Sequence, residues 1–130
     1  MALKVNTAIK RPGIFVVVPI GSIDAGGNAI FQERVNSVLN QNPDVIIFDM
    51  EHADYINSMG IRVLVKAKKA IKKNGGKIMF INLQPPIKKV FDILNALPSL
   101  KVFASIEELD GYLDAMQTGS HLTDAEKDDG

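Results

Sequence analysis

The chain predicts an α/β fold: a single domain with a mixed, mainly parallel sheet, opened by a β-hairpin and covered by about four helices. Three observations point there. Short runs rich in Val, Ile and Phe recur along the chain, as expected of strands buried on both faces. Longer segments between them carry apolar residues at helical spacing. The two kinds alternate, which implies parallel strands joined by helices. With 130 residues, 46% of them apolar, there is material for one core.

Residues 3–9 predict an edge strand. Arg11-Pro12-Gly13 is a turn signal, since proline presets φ and glycine tolerates positive φ. Ile14–Ile20 is almost continuously apolar and predicts a second strand, completing a hairpin. Gly21–Gly27 is expected to be a loop. Asn28 is expected to cap a helix over 29–40 that buries Phe31, Val35, Val38 and Leu39. Asn42-Pro43 ends it, and a strand over 44–49 follows.

The next helix is predicted over 58–73. Gly60, Val63, Leu64, Ala67, Ala70 and Ile71 share one face, and Arg62, Lys66, Lys69 and Lys73 the opposite one. Asn74-Gly75-Gly76 supplies the stop before a strand over 77–83. Gln84-Pro85-Pro86 opens a helix over 86–96, with Ile87, Val90, Phe91 and Leu94 inward. Lys101–Ala104 predicts a short last strand. Ser105-Ile-Glu-Glu108 is a capping-box pattern ahead of a helix that presents Ile106, Leu109, Leu113 and Met116. The domain is expected to span 1–116. Residues 117–130 set four acids (Asp124, Glu126, Asp128, Asp129) against Lys127 and are expected to be a disordered acidic tail.

Composition restricts function. The 15 basic and 15 acidic residues balance, so nucleic-acid binding is not expected. The absence of cysteine excludes disulfides, thiolate metal sites and a cysteine nucleophile. The N-terminus lacks the pattern of a signal peptide, and no apolar run has the length of a membrane span. A cytoplasmic protein without membrane insertion is the expectation.

Catalytic patterns fail one by one. Asn74-Gly75-Gly76-Lys77 lacks the first glycine and the Ser/Thr of a phosphate loop, and precedes a strand. Gly21-Ser22-Ile23-Asp24 is not a nucleophile elbow, and its single acid does not suffice for a phosphoryl-accepting receiver site. His52 and His121 are the only histidines. Asp49, Glu51 and Asp54 cluster without a second group to complete a metal or acid–base site. No catalytic residue, metal or cofactor is therefore expected, and the chain is not expected to be an enzyme.

The segment Asp49–Gly60 is the most informative. It joins the apolar run Val45–Phe48 to the long helix, so the Ser58 hydroxyl falls at a helix start. There backbone N–H groups lack partners and the dipole favours negative charge. Ser58 could be a plain N-cap or an accepting site for phosphate.

In its motifs the chain resembles the STAS domain family, and within it the bacterial anti-sigma factor antagonists. That pattern is an apolar strand ending in Asp, a loop of about seven residues, Ile/Met-Asp-Ser-x-Gly-Leu, then a helix. Asp49, Ile56, Ser58, Gly60 and Leu64 match it, with Ile61 in place of leucine. Gly21 and Asp24 resemble the family's Gly-x-Leu-Asp, with Ile23 in place of leucine. The resemblance spans about Val5–Leu113. Asn57 departs from the usual Asp; asparagine still caps a helix, but the missing charge bears on how a kinase engages Ser58.

The resemblance implies a partner switch. The unphosphorylated protein binds an anti-sigma factor with serine kinase activity and thereby frees a sigma factor, which it meets only indirectly. Phosphorylation at Ser58 ends that complex, and a phosphatase resets it. The implied docking surface includes Ser22, Ile23, Asp24, Asp54, Asn57, Ser58, Met59, Arg62 and Lys66. The alternatives are an unphosphorylated STAS scaffold or regulatory module in a stress-signalling or lipid-transport complex, and a small-molecule-binding or enzymatic α/β domain, which would need a deep pocket with convergent polar groups.

Overall fold

Pro12 and Gly13 reverse the chain between two strands. Gly13 has φ +78°, and a Cβ there would run into the Asp44 carboxylate, so glycine is required on two counts. The computed structural model describes residues 2–93, 101–103 and 106–117. Its order is β1 (Lys4–Arg11), β2 (Ile14–Ile23), α1 (Asn28–Leu39), β3 (Val45–Asp49), β4 (Ala53–Ile56), α2 (Ser58–Lys72), β5 (Lys77–Ile81), α3 (Pro85–Ile93), β6 (Lys101–Phe103) and α4 (Ile106–Gln117).

The sheet runs β1-β2-β3-β5-β6, with β4 paired to β2 off this path. β1 and β2 are antiparallel, from Lys4↔Ile20 to Arg11↔Ile14. The other pairings are parallel: Ile14↔Val45 begins β2–β3, Val45↔Lys77 begins β3–β5 and Met79↔Lys101 begins β5–β6. The expected mixed, mainly parallel sheet opened by a hairpin is what forms.

Each central strand is buried on both faces, and its alternate residues serve different layers. Ile46, Phe48, Ile78 and Phe80 face α1, α2 and α3. Phe31, Phe48, Phe80 and Phe91 form a chain of ring contacts on that side, with centroids 6.2, 5.2 and 5.4 Å apart in order. Val45, Ile47, Met79 and Ile81 pack on the other side against Leu109 and Leu113 of α4. Ion pairs fasten α4 to the hairpin: Lys10–Asp110 at 3.0 Å, Arg11–Asp114 at 2.9 Å and Arg11–Asp110 at 3.9 Å.

Several expectations change. β2 continues through Ser22 to Ile23, and β4 is a strand where a loop was expected. The two changes have one cause. β2 outruns its pairing with β3, which ends at Val17↔Phe48, and β4 takes up the free edge from Gly21↔Ala53 to Ile23↔Ile56. Pro19, which has no N–H to donate, falls between the two pairings. Asn28 does not cap α1: the helix starts at Asn28 itself, with Gly27 at the N-cap and no side-chain cap bond. The turn before it is closed by backbone instead, since the N–H groups of Gly27 and Asn28 both donate to the Asp24 carbonyl. On α2, Ala70 is exposed and Ile61 is buried in its place. Leu94, Ser105 and residues 118–130 lie outside the described residues, and with them the full capping box and nearly all of the tail. Among the described residues no helix is long and apolar enough to cross a membrane.

Candidate functional site

β2, β3 and β5 run parallel, so their carboxyl ends meet at one edge of the sheet, where loops collect. β4 brings that edge to the start of α2. Its register sets Ser22 opposite Tyr55 and Ile23 opposite Ile56. The Ser22 hydroxyl donates to the Asp54 carboxylate at 2.7 Å, and the Asn57 N–H donates to the Ile23 carbonyl at 2.9 Å. Asp24 stands just beyond, its carboxylate accepting the Gly26 N–H at 3.1 Å. Residues more than thirty positions apart in the chain are thus joined around the first turn of α2.

That turn begins at Asn57, not Ser58. Asn57 has extended backbone (φ −93°, ψ 176°), and its side-chain Oδ1 accepts the Gly60 N–H at 2.9 Å. Its carbonyl accepts the Ile61 N–H at 3.1 Å. Ser58 is therefore the first helical residue, relieved of capping, and it is exposed. The plain N-cap reading of Ser58 is overturned by its neighbour, whose amide makes the bond.

Gly60 seats the turn. A Cβ there would stand 2.7 Å from Ile56 Cγ1 and 2.8 Å from Ile23 Cγ2, both on side chains with no exposed surface. Only a residue without a Cβ lets α2 come this close to the β2–β4 pair. Ile23, expected at a docking surface, is fully buried. It supports the turn from below and is closed to a partner, because its alternation on β2 turns it inward between Ser22 and Asp24.

Around Ser58 the surface is mixed. Met59 is 48% exposed and Tyr55 45% exposed, large apolar groups left facing water. Asp24, Asp54, Arg62 and Lys66 are exposed, while Ser22 and Asn57 are partly covered. Between Ser58 and Gly76 the chain has six basic residues (Arg62, Lys66, Lys68, Lys69, Lys72, Lys73) and no acid. Arg62, Lys66, Lys69 and Lys73 are all exposed, a cationic stripe leading away from Ser58. Tyr55 was missed at the sequence level. Its signal was an aromatic residue three positions before Ser58 in a polar stretch, legible only once β4 is known to turn it outward.

The remaining polar groups at this edge are structural. Asp49 Oδ1 accepts the Glu51 N–H and the Asn82 side-chain N–H, both at 3.1 Å, tying the ends of β3 and β5 together. The Gln84 amide donates to the Glu51 carbonyl. Among the described residues no group of three or more His, Asp or Glu is placed to hold a metal ion. A depression lined by Asn36, Asn40, Ala70 and Asn74 lies at the C-terminal ends of α1 and α2, at the other end of α2 from Ser58.

Comparison with known proteins identifies the family and the fold. The family model for the STAS domain matches residues 7–109. The anti-sigma-B factor antagonist of Bacillus subtilis is 26% identical over 106 residues, covering 81% of this chain and 96% of that protein. A crystal structure of an anti-sigma factor antagonist from Mycobacterium paratuberculosis aligns with TM-score 0.75 and 16% identity, over 88% of this chain and 94% of the other. The phosphorylated form of the Bacillus cell-fate determinant SpoIIAA aligns with TM-score 0.66 and 16% identity, over 84% and 99%. At these identities the two structures establish likeness of fold.

Proposed function

Because the chain belongs to the STAS domain family, we propose that it is an anti-sigma factor antagonist whose association is switched off by phosphorylation at Ser58. It acts by binding. Unphosphorylated, it engages an anti-sigma factor that is also a serine kinase, and so releases a sigma factor that it does not itself touch. The kinase then transfers the γ-phosphoryl group of ATP to Ser58 Oγ, ADP leaves, and the complex separates. A phosphatase restores the hydroxyl by hydrolysis.

The observation that carries this reading is the division of labour between two adjacent residues. Asn57 satisfies the helix start, so Ser58 is left exposed with a small hydroxyl, and Tyr55 and Met59, near it in the chain, are exposed too. Met59 and Tyr55 are the natural anchors of a contact that excludes water. Ser22, Asp24, Asp54, Asn57 and Arg62 form its polar rim, and Lys66 extends it along α2. A phosphate at the centre brings about −1.5 to −2 charges into a surface that must be desolvated for binding. No movement of the fold is needed; the modified surface itself no longer fits the partner.

The test uses the anti-sigma factor kinase from the same cell. Wild type and Ser58→Ala are expected to bind it within about threefold of each other. Ser58→Asp and the ATP-treated wild type are expected to bind at least about tenfold more weakly, a loss of roughly 1.4 kcal/mol. Equal affinity for all four would overturn the switch.

A further inference from the structure

We infer that Arg62 is a built-in partner for phosphoserine at position 58, a role that rests on the switch proposed above. Ser58 opens α2 and Arg62 follows four residues later. Residues at that spacing lie one above the other on a helix, with about 5–6 Å between their Cβ atoms. Helical Cα–Cβ bonds tilt toward the N-terminus, which puts position 58 within reach of an arginine at position 62. An anionic residue followed at this spacing by a cationic one is the favourable order. Both residues are exposed, and among the described residues Arg62 has no ion-pair partner.

The neighbouring groups define the need. Asp54 on β4 and Asp24 after β2 are the acids beside this turn, and each carboxylate is already engaged, by the Ser22 hydroxyl and by the Gly26 N–H. They repel a phosphate. Asn57 caps without adding a third negative charge. Ile61, at the next position along the turn, is buried, and Lys66 stands two turns away. Along α2, Arg62 is the base one turn from Ser58, and its planar guanidinium suits two phosphate oxygens at once. Phosphorylation then has two effects. It adds the dianion, and it withdraws the first cation of the α2 stripe from any acidic partner.

The experiment uses the full chain with phosphoserine installed at position 58 during synthesis. Phosphorus NMR follows the second ionisation of the phosphate in low salt for the wild-type background, Arg62→Gln and Arg62→Lys. Asp24, Asp54 and His52 are common to all three, so differences report position 62. Arg62→Gln is expected to raise the apparent pKa by about 0.2–0.4 units, Arg62→Lys by less, and about 1 M salt to shrink the difference. Identical titrations of Arg62→Gln and the wild-type background in low salt would overturn the inference. No kinase or partner enters this measurement. A null result therefore removes Arg62 while leaving the switch standing, and a partner indifferent to phosphate would end the switch while leaving this titration intact.

Discussion

Replacing Gly60 by alanine should destabilise the fold, although alanine is the better helix former. In an exposed helix interior the exchange gains about 1 kcal/mol. At Gly60 the added methyl would stand 2.7 Å from Ile56 Cγ1 and 2.8 Å from Ile23 Cγ2. Real Cβ contacts do not come under 3.0 Å, so both isoleucines must move. Neither can move freely: each is fully buried, and the Ile23 contact is a branch methyl held close to the β2 backbone. Overpacking of this kind costs about 1–3 kcal/mol, on top of which the helix start must shift off its Asn57 cap. The net expectation is a loss of about 1–2 kcal/mol. Gly111 is the internal control. It lies within α4, exposed, with nothing within 4 Å of a built Cβ. There the same exchange should stabilise by up to about 1 kcal/mol. Urea unfolding of the two variants at one temperature measures both, the midpoint moving down for Gly60→Ala and up for Gly111→Ala at unchanged slope. A Gly60→Ala protein as stable as wild type would refute the close seating of α2 on β2 and β4.

The cap, the core and the stripe each make a separate claim. Asn57→Ala should lose about 1 kcal/mol of stability, and Asn57→Asp, which keeps the accepting oxygen, should lose less; thermal unfolding distinguishes them. Phe48→Ala removes a fully buried ring that touches both Phe31 and Phe80, and should cost about 3–5 kcal/mol by denaturant titration. Lys66→Glu should leave stability within about 0.5 kcal/mol of wild type, because the side chain is exposed. It should nevertheless slow association with an acidic partner in low salt by stopped-flow measurement, the difference fading at high salt.

How much of this was legible in the chain depended on whether a signal was local. Ile14–Ile20, Val45–Asp49 and Lys77–Ile81 announce strands because an unbroken apolar run has few alternatives when both faces are to be buried. Gly13 and Asn74-Gly75-Gly76 announce the chain reversal and the helix stop, because backbone at positive φ favours glycine; Gly13 and Gly75 adopt φ +78° and +80°. Ser22 and Ile23 come to lie beside Tyr55 and Ile56, just ahead of Ser58, since parallel strands deliver their ends to one edge.

What the sequence by itself determined was the order of strands and helices, the hairpin, the two-sided burial of the sheet and the stretch in which Ser58 would lie. Periodicity and turn chemistry act over a few residues, and those properties need nothing more. Tertiary structure alone decided that Ala53–Ile56 is a strand, that Ile23 turns inward, and that Asn57 rather than Ser58 closes the helix. Ala-Asp-Tyr-Ile has no period of its own; it becomes a strand because β2 outruns β3 and offers a free edge of backbone. Two neighbouring residues could each have capped α2, and the hydrogen bond from the Asn57 N–H to the Ile23 carbonyl set which one did. A serine left without structural duty is the product of that long-range contact, which no local pattern encodes.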